Sequence, residues 1–126
     1  MRKDLIFGLS TVESLPTTVV SGGGDNGVDV DTLRKYAAKH IIHVEAVSTA
    51  ITVKLQESSV GGGSGYTDVA ADQMIGGVNL VSISATSDNT AVQLGGFGLK
   101  RYQRIVTVAG AGTCHAVAVL ADDLGS

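Results

Sequence analysis

The chain has 126 residues, enough for one domain but too few for a second independent core. Its hydrophobic fraction of 44% excludes wholesale disorder, and its formal net charge of −3 argues against a general nucleic-acid binder, which needs a basic surface. Aromatic residues contribute only 4%, whereas glycine occurs 17 times. Strands rich in Val, Ile, Leu and Ala, separated by glycine clusters, are typical of a β-sandwich or a β-barrel. The spacing of the short strands and of the turns between them predicts an antiparallel β-sandwich.

No apolar run is long enough to cross a bilayer, because Leu5–Leu9 is short and is interrupted by Gly8. The same run is too brief for the apolar region of a secretory signal, so we expect a protein that is made in the cytoplasm and has no membrane partner. The single Cys114 excludes an internal disulfide.

The first 27 residues are predicted to form an N-terminal arm and a glycine-rich linker, followed by a β-sandwich domain at 28–126. Thr17–Val20 could add a strand to the arm. Ser21–Gly27 contains three consecutive glycines, which favour a flexible connection that separates the arm from the core. An exposed apolar arm is costly in water, so we expect it to become buried against a partner. Its apolar residues are Leu5, Ile6, Phe7 and Leu9.

Further along the chain, the pattern predicts at most one short helix and several short strands. The helical turn is expected at Thr32–Tyr36, where Asp31 could cap its start. Ile51–Glu57 is the clearest strand, because apolar and polar residues alternate along it. The last two strands are predicted to form a hairpin across Ala109–Gly112. The predicted strands are Lys39–Val47, Ile51–Glu57, Tyr66–Val69, Val78–Ala85, Ala91–Leu94, Tyr102–Val108 and Thr113–Leu120.

Two motifs in the glycine-rich region could bind a ligand, and both have simpler interpretations. Gly22, Gly24 and Gly27 satisfy G-x-G-x-x-G, but the next residues alternate like a strand and supply no helix to face a pyrophosphate. The nearby acidic residues lack the spacing and the closing bidentate acid of a calcium loop. We therefore expect a plain loop and solvated carboxylates, without cofactor or metal. Those acidic residues are Asp25, Asp29 and Asp31.

The histidines and the cysteine do not form a pattern typical of catalysis. His40 and His43 are three residues apart, which places them on opposite faces of a strand, and the adjacent Cys114 and His115 also face apart. A zinc site needs four converging ligands, and a nucleophilic cysteine needs a nearby base. No G-x-S-x-G elbow of a serine hydrolase occurs either. We expect structural histidines, a buried inert thiol and no enzymatic activity.

One dense basic stretch could bind a partner. Strand alternation places Arg101 and Arg104 on opposite faces, so they are not expected to form one patch. Two interpretations stay open: exposed charges that protect an edge strand, or docking onto an acidic capsid surface. The basic residues are Lys100, Arg101 and Arg104.

The central and C-terminal segments resemble the small capsid cement proteins, also called decoration or head-stabilising proteins, of tailed bacteriophages. Asp29–Tyr36 fits this pattern more loosely, and the resemblance covers roughly the last three-quarters of the chain. The residues that carry it are Leu55–Ser58, Tyr66–Val69, Ala71-Asp72, Ile75-Gly76, Lys100–Arg104, Val106–Val108 and Ala116–Leu120.

The resemblance implies a jelly-roll-like sandwich that binds, as a homodimer or homotrimer, to the outside of the phage capsid. Its partner there would be the major capsid protein, and its role would be to stabilise contacts between the capsid subunits. The candidate contact residues are the apolar ones of the arm and the basic ones around Arg101. An alternative is a virion or tail module that binds host-surface carbohydrate, although such modules usually stack sugars on exposed aromatic side chains, which are scarce here.

Overall fold

A computed structural model describes residues 9–84 and 90–122. Seven strands in this part of the chain form one antiparallel sheet, and the described helical structure is a single 3-10 turn at Ala71–Gln73. The prediction of an all-β antiparallel fold with at most one short helix is therefore confirmed. The strands are β1 (Leu9–Ser21), β2 (Val30–Asp31), β3 (Lys35–Ser58), β4 (Thr67–Asp68), β5 (Val81–Ile83), β6 (Thr90–Gly95) and β7 (Tyr102–Asp122).

Two long strands, β3 and β7, form the centre of the sheet. They pair antiparallel along their whole length, from Lys35 opposite Asp122 to Ser58 opposite Tyr102. On the outer edge of β7 lie β1 and β2, and on the outer edge of β3 lie β6, β5 and β4 in turn. Each long strand thus replaces two of the short strands that the sequence predicts.

The sheet bends sharply near the middle of β3 and β7. Ala46 has a φ of 52°, and the register between the two strands shifts repeatedly between Glu45 and Val53. Such bulges increase the local twist and bend of a strand. The two halves of the sheet consequently face each other, because Ile42 before the bend and Leu55 and Ile105 beyond it belong to the same buried cluster. This is sandwich-like packing made by one folded sheet, and the jelly-roll detail is not confirmed.

The predicted hairpin at Ala109–Gly112 is wrong, because β7 bends there but continues as one strand without reversing direction. Gly110 and Gly112 have φ values of 115° and 151°, and both approach the backbone of the β3 bend. A Cβ on Gly112 would lie 2.9 Å from the Cα of Val47. These glycines allow two backbones to pass close together rather than reversing the chain.

The described part of the predicted arm is strand β1, which is a correction to the sequence analysis. It pairs with β7 from Leu9 opposite Ala121 to Ser21 opposite Ala111, and it buries Leu15 and Val20 in the core. The sequence of β1 shows no regular alternation of apolar and polar residues, because its register against β7 shifts on both sides of Leu15, close to Pro16. Leu5, Ile6 and Phe7 lie outside the described residues.

The glycine-rich linker also belongs to the sheet instead of separating two units. The backbone N–H groups of Gly22, Gly24 and Gly27 donate hydrogen bonds of 2.7 to 2.8 Å to carbonyl oxygens of β7. A Cβ on Gly27 would lie 2.2 Å from the carbonyl oxygen of Ser14, so glycine is needed there for close approach rather than for flexibility.

The helical turn expected at Thr32–Tyr36 is a tight turn into β3. The N–H of Lys35 donates to the carbonyl of Thr32 at 3.0 Å, and Arg34 has a left-handed φ of 64°. The side chain of Asp31 accepts from the N–H of Leu33, the short-range bond typical of aspartate in turns. No helix follows this turn, because β3 already begins at Lys35.

Candidate functional site

An apolar groove opens on the outer face of the sheet, which is the face turned away from the buried cluster. Leu9, Ala121 and Ala37 lie in register across β1, β7 and β3 and line one part of it. Ile75 and Phe97, from two loops beside β6, line the other part. The groove has a volume of about 600 Å³, within the usual range of binding clefts.

The two loops beside the groove are fastened to each other, so they hold Ile75 and Phe97 in fixed positions. The N–H of Ile75 donates to the carbonyl of Gly95 at 2.9 Å, and the N–H of Phe97 donates to the carbonyl of Gln73 at 2.7 Å. The side chain of Gln73 donates in turn to the carbonyls of Phe97 and Gly98. Ile75 is nevertheless 61% exposed and Phe97 66% exposed. Exposed apolar side chains on a backbone that is held by hydrogen bonds are typical of a surface that binds another molecule.

Sequence reasoning found only one residue of this groove, Leu9, which is exposed at its edge. It did not predict Ile75 or Phe97 as contact residues. The signal that could have found them is a large aromatic residue between glycines, Gly95-Gly96-Phe97-Gly98, where a turn needs no aromatic side chain.

The predicted basic contact residues are mostly engaged within the chain. Arg101 donates two hydrogen bonds of 2.8 Å to the carboxylate of Asp31, while Arg104 donates to the side chain of Gln56. Lys100 is exposed, and its backbone N–H donates to Glu57. Because Arg101 lies in the loop before β7, strand alternation does not fix its direction relative to Arg104. The paired arginines favour a structural role over a free positive patch.

Arg104 belongs to a polar network in the half of the sheet that lies beyond the bend in β3. Arg104 lies over the ring of Tyr66 at 4.1 Å, and the Tyr66 hydroxyl donates to Asp29 at 2.7 Å. Burial, followed by the Asp29 contact, raises the pKa of Tyr66 far above its usual value. Asp29 also accepts from the N–H of Gly63, which attaches the loop that contains Gly61, Gly62 and Gly63 to the sheet. The role of this network is therefore structural, because it holds the loop around Gly63 against the sheet.

The three carboxylates of the glycine-rich region do not converge on a common point. Asp25 accepts from the Thr107 hydroxyl at 2.8 Å, Asp29 from Tyr66 and Asp31 from Arg101. The Arg101 guanidinium, with the N–H of Leu33, lowers the pKa of Asp31 to about 2. Each carboxylate thus has its own partner. In residues 9–84 and 90–122, no group of three or more His, Cys, Asp and Glu side chains is arranged to hold a metal ion.

The histidines and Cys114 take the faces that strand alternation predicts. His40 is fully buried and bonds Gln103 through Nε2 at 3.0 Å, and its burial lowers its pKa. Cys114 is fully buried, which raises the pKa of its thiol to about 11, so the thiol is protonated at neutral pH. On the outer face His43 lies opposite His115, which contacts Glu13 at 3.3 Å. Sequence spacing could not reveal that cross-strand pair.

Within the described ranges, none of the helical structure has the length and apolar character that a membrane span requires.

The chain matches no known protein family, and no curated protein matches it in sequence. Solved structures that share its fold include the following two. The SPBc2 prophage-derived protein YomS superposes with a TM-score of 0.55 and 8% identity, over 89% of this chain and 91% of that one. A chain of the Bacillus endospore appendages, which form a novel family of disulfide-linked pili, gives a TM-score of 0.52 and 9% identity, over 91% and 88%. At such identities the likeness is one of fold.

Proposed function

We propose that this chain is a non-enzymatic structural protein of a tailed-phage virion, a cement or decoration protein. It binds the outside of the capsid and stabilises contacts between neighbouring subunits of the major capsid protein. Made in the host cytoplasm, it acts on the capsid exterior as a homodimer or homotrimer.

The observation that carries the proposal is the apolar groove with its exposed Ile75 and Phe97. The side chains that could serve as a nucleophile, a base or an acid do not face the groove. Cys114 and His40 are buried in the sheet, and Asp31 is paired with Arg101. An exposed apolar surface on a chain whose polar side chains are paired with one another is typical of a protein that binds other proteins.

The fold likenesses support an assembly role. One neighbour is prophage-derived and the other forms pili, so this architecture occurs in a phage-related protein and in a protein that assembles. A cement protein would stabilise a capsid through multivalency. Once one linked copy is bound, the next binds at high effective concentration, so a modest contact per copy is sufficient.

The carbohydrate-binding alternative has less support. Sugars stack on exposed aromatic faces and also need polar partners around them. Arg104 lies over the ring of Tyr66 and Arg101 lies 4.9 Å from the ring centre of Tyr102, while the exposed Phe97 lies in a mainly apolar groove.

Capsid binding can be tested by co-sedimenting the purified chain with empty capsids of the phage that encodes it. We expect saturable binding that raises the temperature at which the capsids disassemble. The variant Ile75→Ser/Phe97→Ser should bind at least about tenfold more weakly, since it removes two apolar contacts from every copy. Val60→Ser is the matched control, because Val60 is 68% exposed and does not line the groove. Absence of sedimentation with capsids would contradict the proposal.

A further inference from the structure

Two histidines lie side by side on the outer face of the sheet, one on each central strand. His43 of β3 is directly opposite His115 of β7, two residues before Glu45, after which the register shifts. Both side chains are partly exposed and point away from the core, because their neighbours Val44 and Cys114 are fully buried. The Cβ atoms of directly opposite residues are about 5 Å apart, so the two imidazole rings can reach one common point.

We infer that His43 and His115 together bind one divalent transition-metal ion, such as Zn²⁺, independently of capsid binding. Two nitrogen ligands at the usual zinc distance of about 2.1 Å have to lie about 3 Å apart, which opposite residues on neighbouring strands allow. Imidazole is a ligand that suits zinc, nickel and copper alike. In the described residues no third His, Cys, Asp or Glu completes the site, so water fills the remaining positions around the ion.

The carboxylate of Glu13 gives His115 the tautomer that a metal ligand needs. His115 Nε2 lies 3.3 Å from Glu13 Oε2. A carboxylate accepts hydrogen bonds, so Nε2 carries the proton, and the neutral ring keeps a lone pair on Nδ1 for the metal. Histidines that bind metals usually donate their other N–H to such an acceptor, which orients the ring. Glu13 is therefore a positioning residue of the site.

The surroundings of His43 leave room for an ion and favour a positive charge. On the side away from His115, His43 faces the small side chain of Ala91 in β6. Glu45, on the same face of β3, adds a second carboxylate beside the pair. Lys39, the nearest lysine or arginine of β3, is four residues from His43, which is about 13 Å along the strand. The flanking strands β1 and β6 contain no lysine or arginine.

A bound ion joins the two central strands just before the bend. His43 and His115 are far apart along the chain and become neighbours only in the folded sheet. The ion therefore binds the folded protein in preference to the unfolded chain and stabilises the fold by mass action. With zinc at about 100 times its dissociation constant, the equilibrium constant of unfolding should fall about 100-fold.

Calorimetric titration of the purified chain with zinc chloride at about pH 7.5 tests the site. We expect one ion per chain, tighter binding of Cu²⁺ than of Ni²⁺ or Zn²⁺, and no measurable binding of Mg²⁺, which prefers oxygen ligands. His43→Gln and His115→Gln should each weaken zinc binding at least about 100-fold, because the remaining imidazole loses its chelating partner. Both positions are partly exposed, so the two variants should fold, which circular dichroism checks.

A charge-matched pair of variants tests the role of Glu13. Glu13→Gln should weaken zinc binding about tenfold, since loss of the residue that orients a metal ligand typically costs 10- to 100-fold in affinity. Glu45→Gln removes the same charge but no contact to His115, and it should weaken binding only about twofold at physiological salt. Equal losses in these two variants would contradict the orienting role of Glu13.

Urea unfolding with and without zinc gives a second readout. Zinc should stabilise the wild type, and it should leave the stability of His43→Gln and His115→Gln almost unchanged. A wild type that binds no zinc, zinc binding that survives either histidine variant, or equal stabilisation of all three proteins would each overturn the inference.

Discussion

Gly110 of β7 lies so close to Ala50 of β3 that a Cβ on Gly110 would be 2.4 Å from the Ala50 carbonyl oxygen. This contact lies at the bend of the sheet, where Gly110 also has a positive φ of 115°. The bend depends on a residue that combines an unusual backbone conformation with the absence of a side chain.

Gly110→Ala is therefore expected to lower the free energy of unfolding by about 3 kcal/mol or more, because it adds a steric clash to backbone strain. Gly62→Ala is the control: Gly62 also has a positive φ of 66°, but its Cβ would meet nothing within 4 Å. It should cost only about 1 kcal/mol. Urea unfolding measures both values, and equal losses would show that β3 moves aside.

Leu55 of β3 lies between the segments that pair with β5 and with β4, and the side chain of Asn79 supplies the hydrogen bonds that a neighbouring strand would make there. This side chain accepts from the N–H of Leu55 and donates to the carbonyls of Leu55 and Val69, each at 2.8 Å. Asn79→Ala should lower the free energy of unfolding by about 2 kcal/mol, because it leaves backbone groups in this partly buried region unpaired. Gln93→Ala, at an exposed position of β6, should change it by less than about 0.5 kcal/mol. Similar losses in the two variants would argue against the bridging role of Asn79.

His40 should make stability depend on pH. Burial lowers its pKa in the folded protein below the ordinary 6.5. As the pH falls through 6.5, the unfolded chain takes up a proton more readily than the folded protein does. The stability present above pH 6.5 is therefore lost below it, with a slope of up to about 1.4 kcal/mol per pH unit.

The check is urea unfolding at pH 7, 6 and 5 of the wild type, His40→Gln and His43→Gln. His40→Gln should flatten the pH profile, whereas His43→Gln, at a position on the outer face of β3, should keep the wild-type slope. Parallel profiles for all three proteins would exclude His40 as the source of the slope.

The pair Asp31–Arg101 should appear directly in a carboxyl titration by NMR. The pKa of Asp31 is expected at about 2, against an ordinary value of 3.8. Arg101→Gln should raise this pKa, but not fully to 3.8, because the N–H of Leu33 still donates to Asp31. Arg104→Gln should leave it unchanged.

Stability should respond only slightly to this pair. A carboxyl whose pKa is lowered by folding contributes above pH 3.8, and the contribution is lost as the pH falls toward 2. Both side chains are nearly half exposed, at 46% and 42%, so solvent screens most of the attraction. A large loss of stability in Arg101→Gln at neutral pH would contradict this view.

Local sequence pattern determined the class of the fold. In Ile51–Glu57 the apolar residues recur every second position, and the structure buries Ile51, Val53 and Leu55 while their neighbours stay partly exposed. The opposite faces of His40 and His43 follow from the same period. Such predictions succeed because the direction of a side chain within a strand depends only on the strand's own backbone geometry.

Tertiary structure alone decided how the strands join and where the groove lies. The same residue, glycine, permits both a chain reversal and the close approach of two backbones, so the sequence around Gly110 could not distinguish a hairpin from a bent, continuous strand. Leu9 and Phe97 line one groove although they are far apart in the chain, and no local sequence pattern shows that they lie close together in space. The physical reason is that pairing and bending are set by contacts between distant segments, such as Gly110 with Ala50, whose energies depend on which backbones lie side by side.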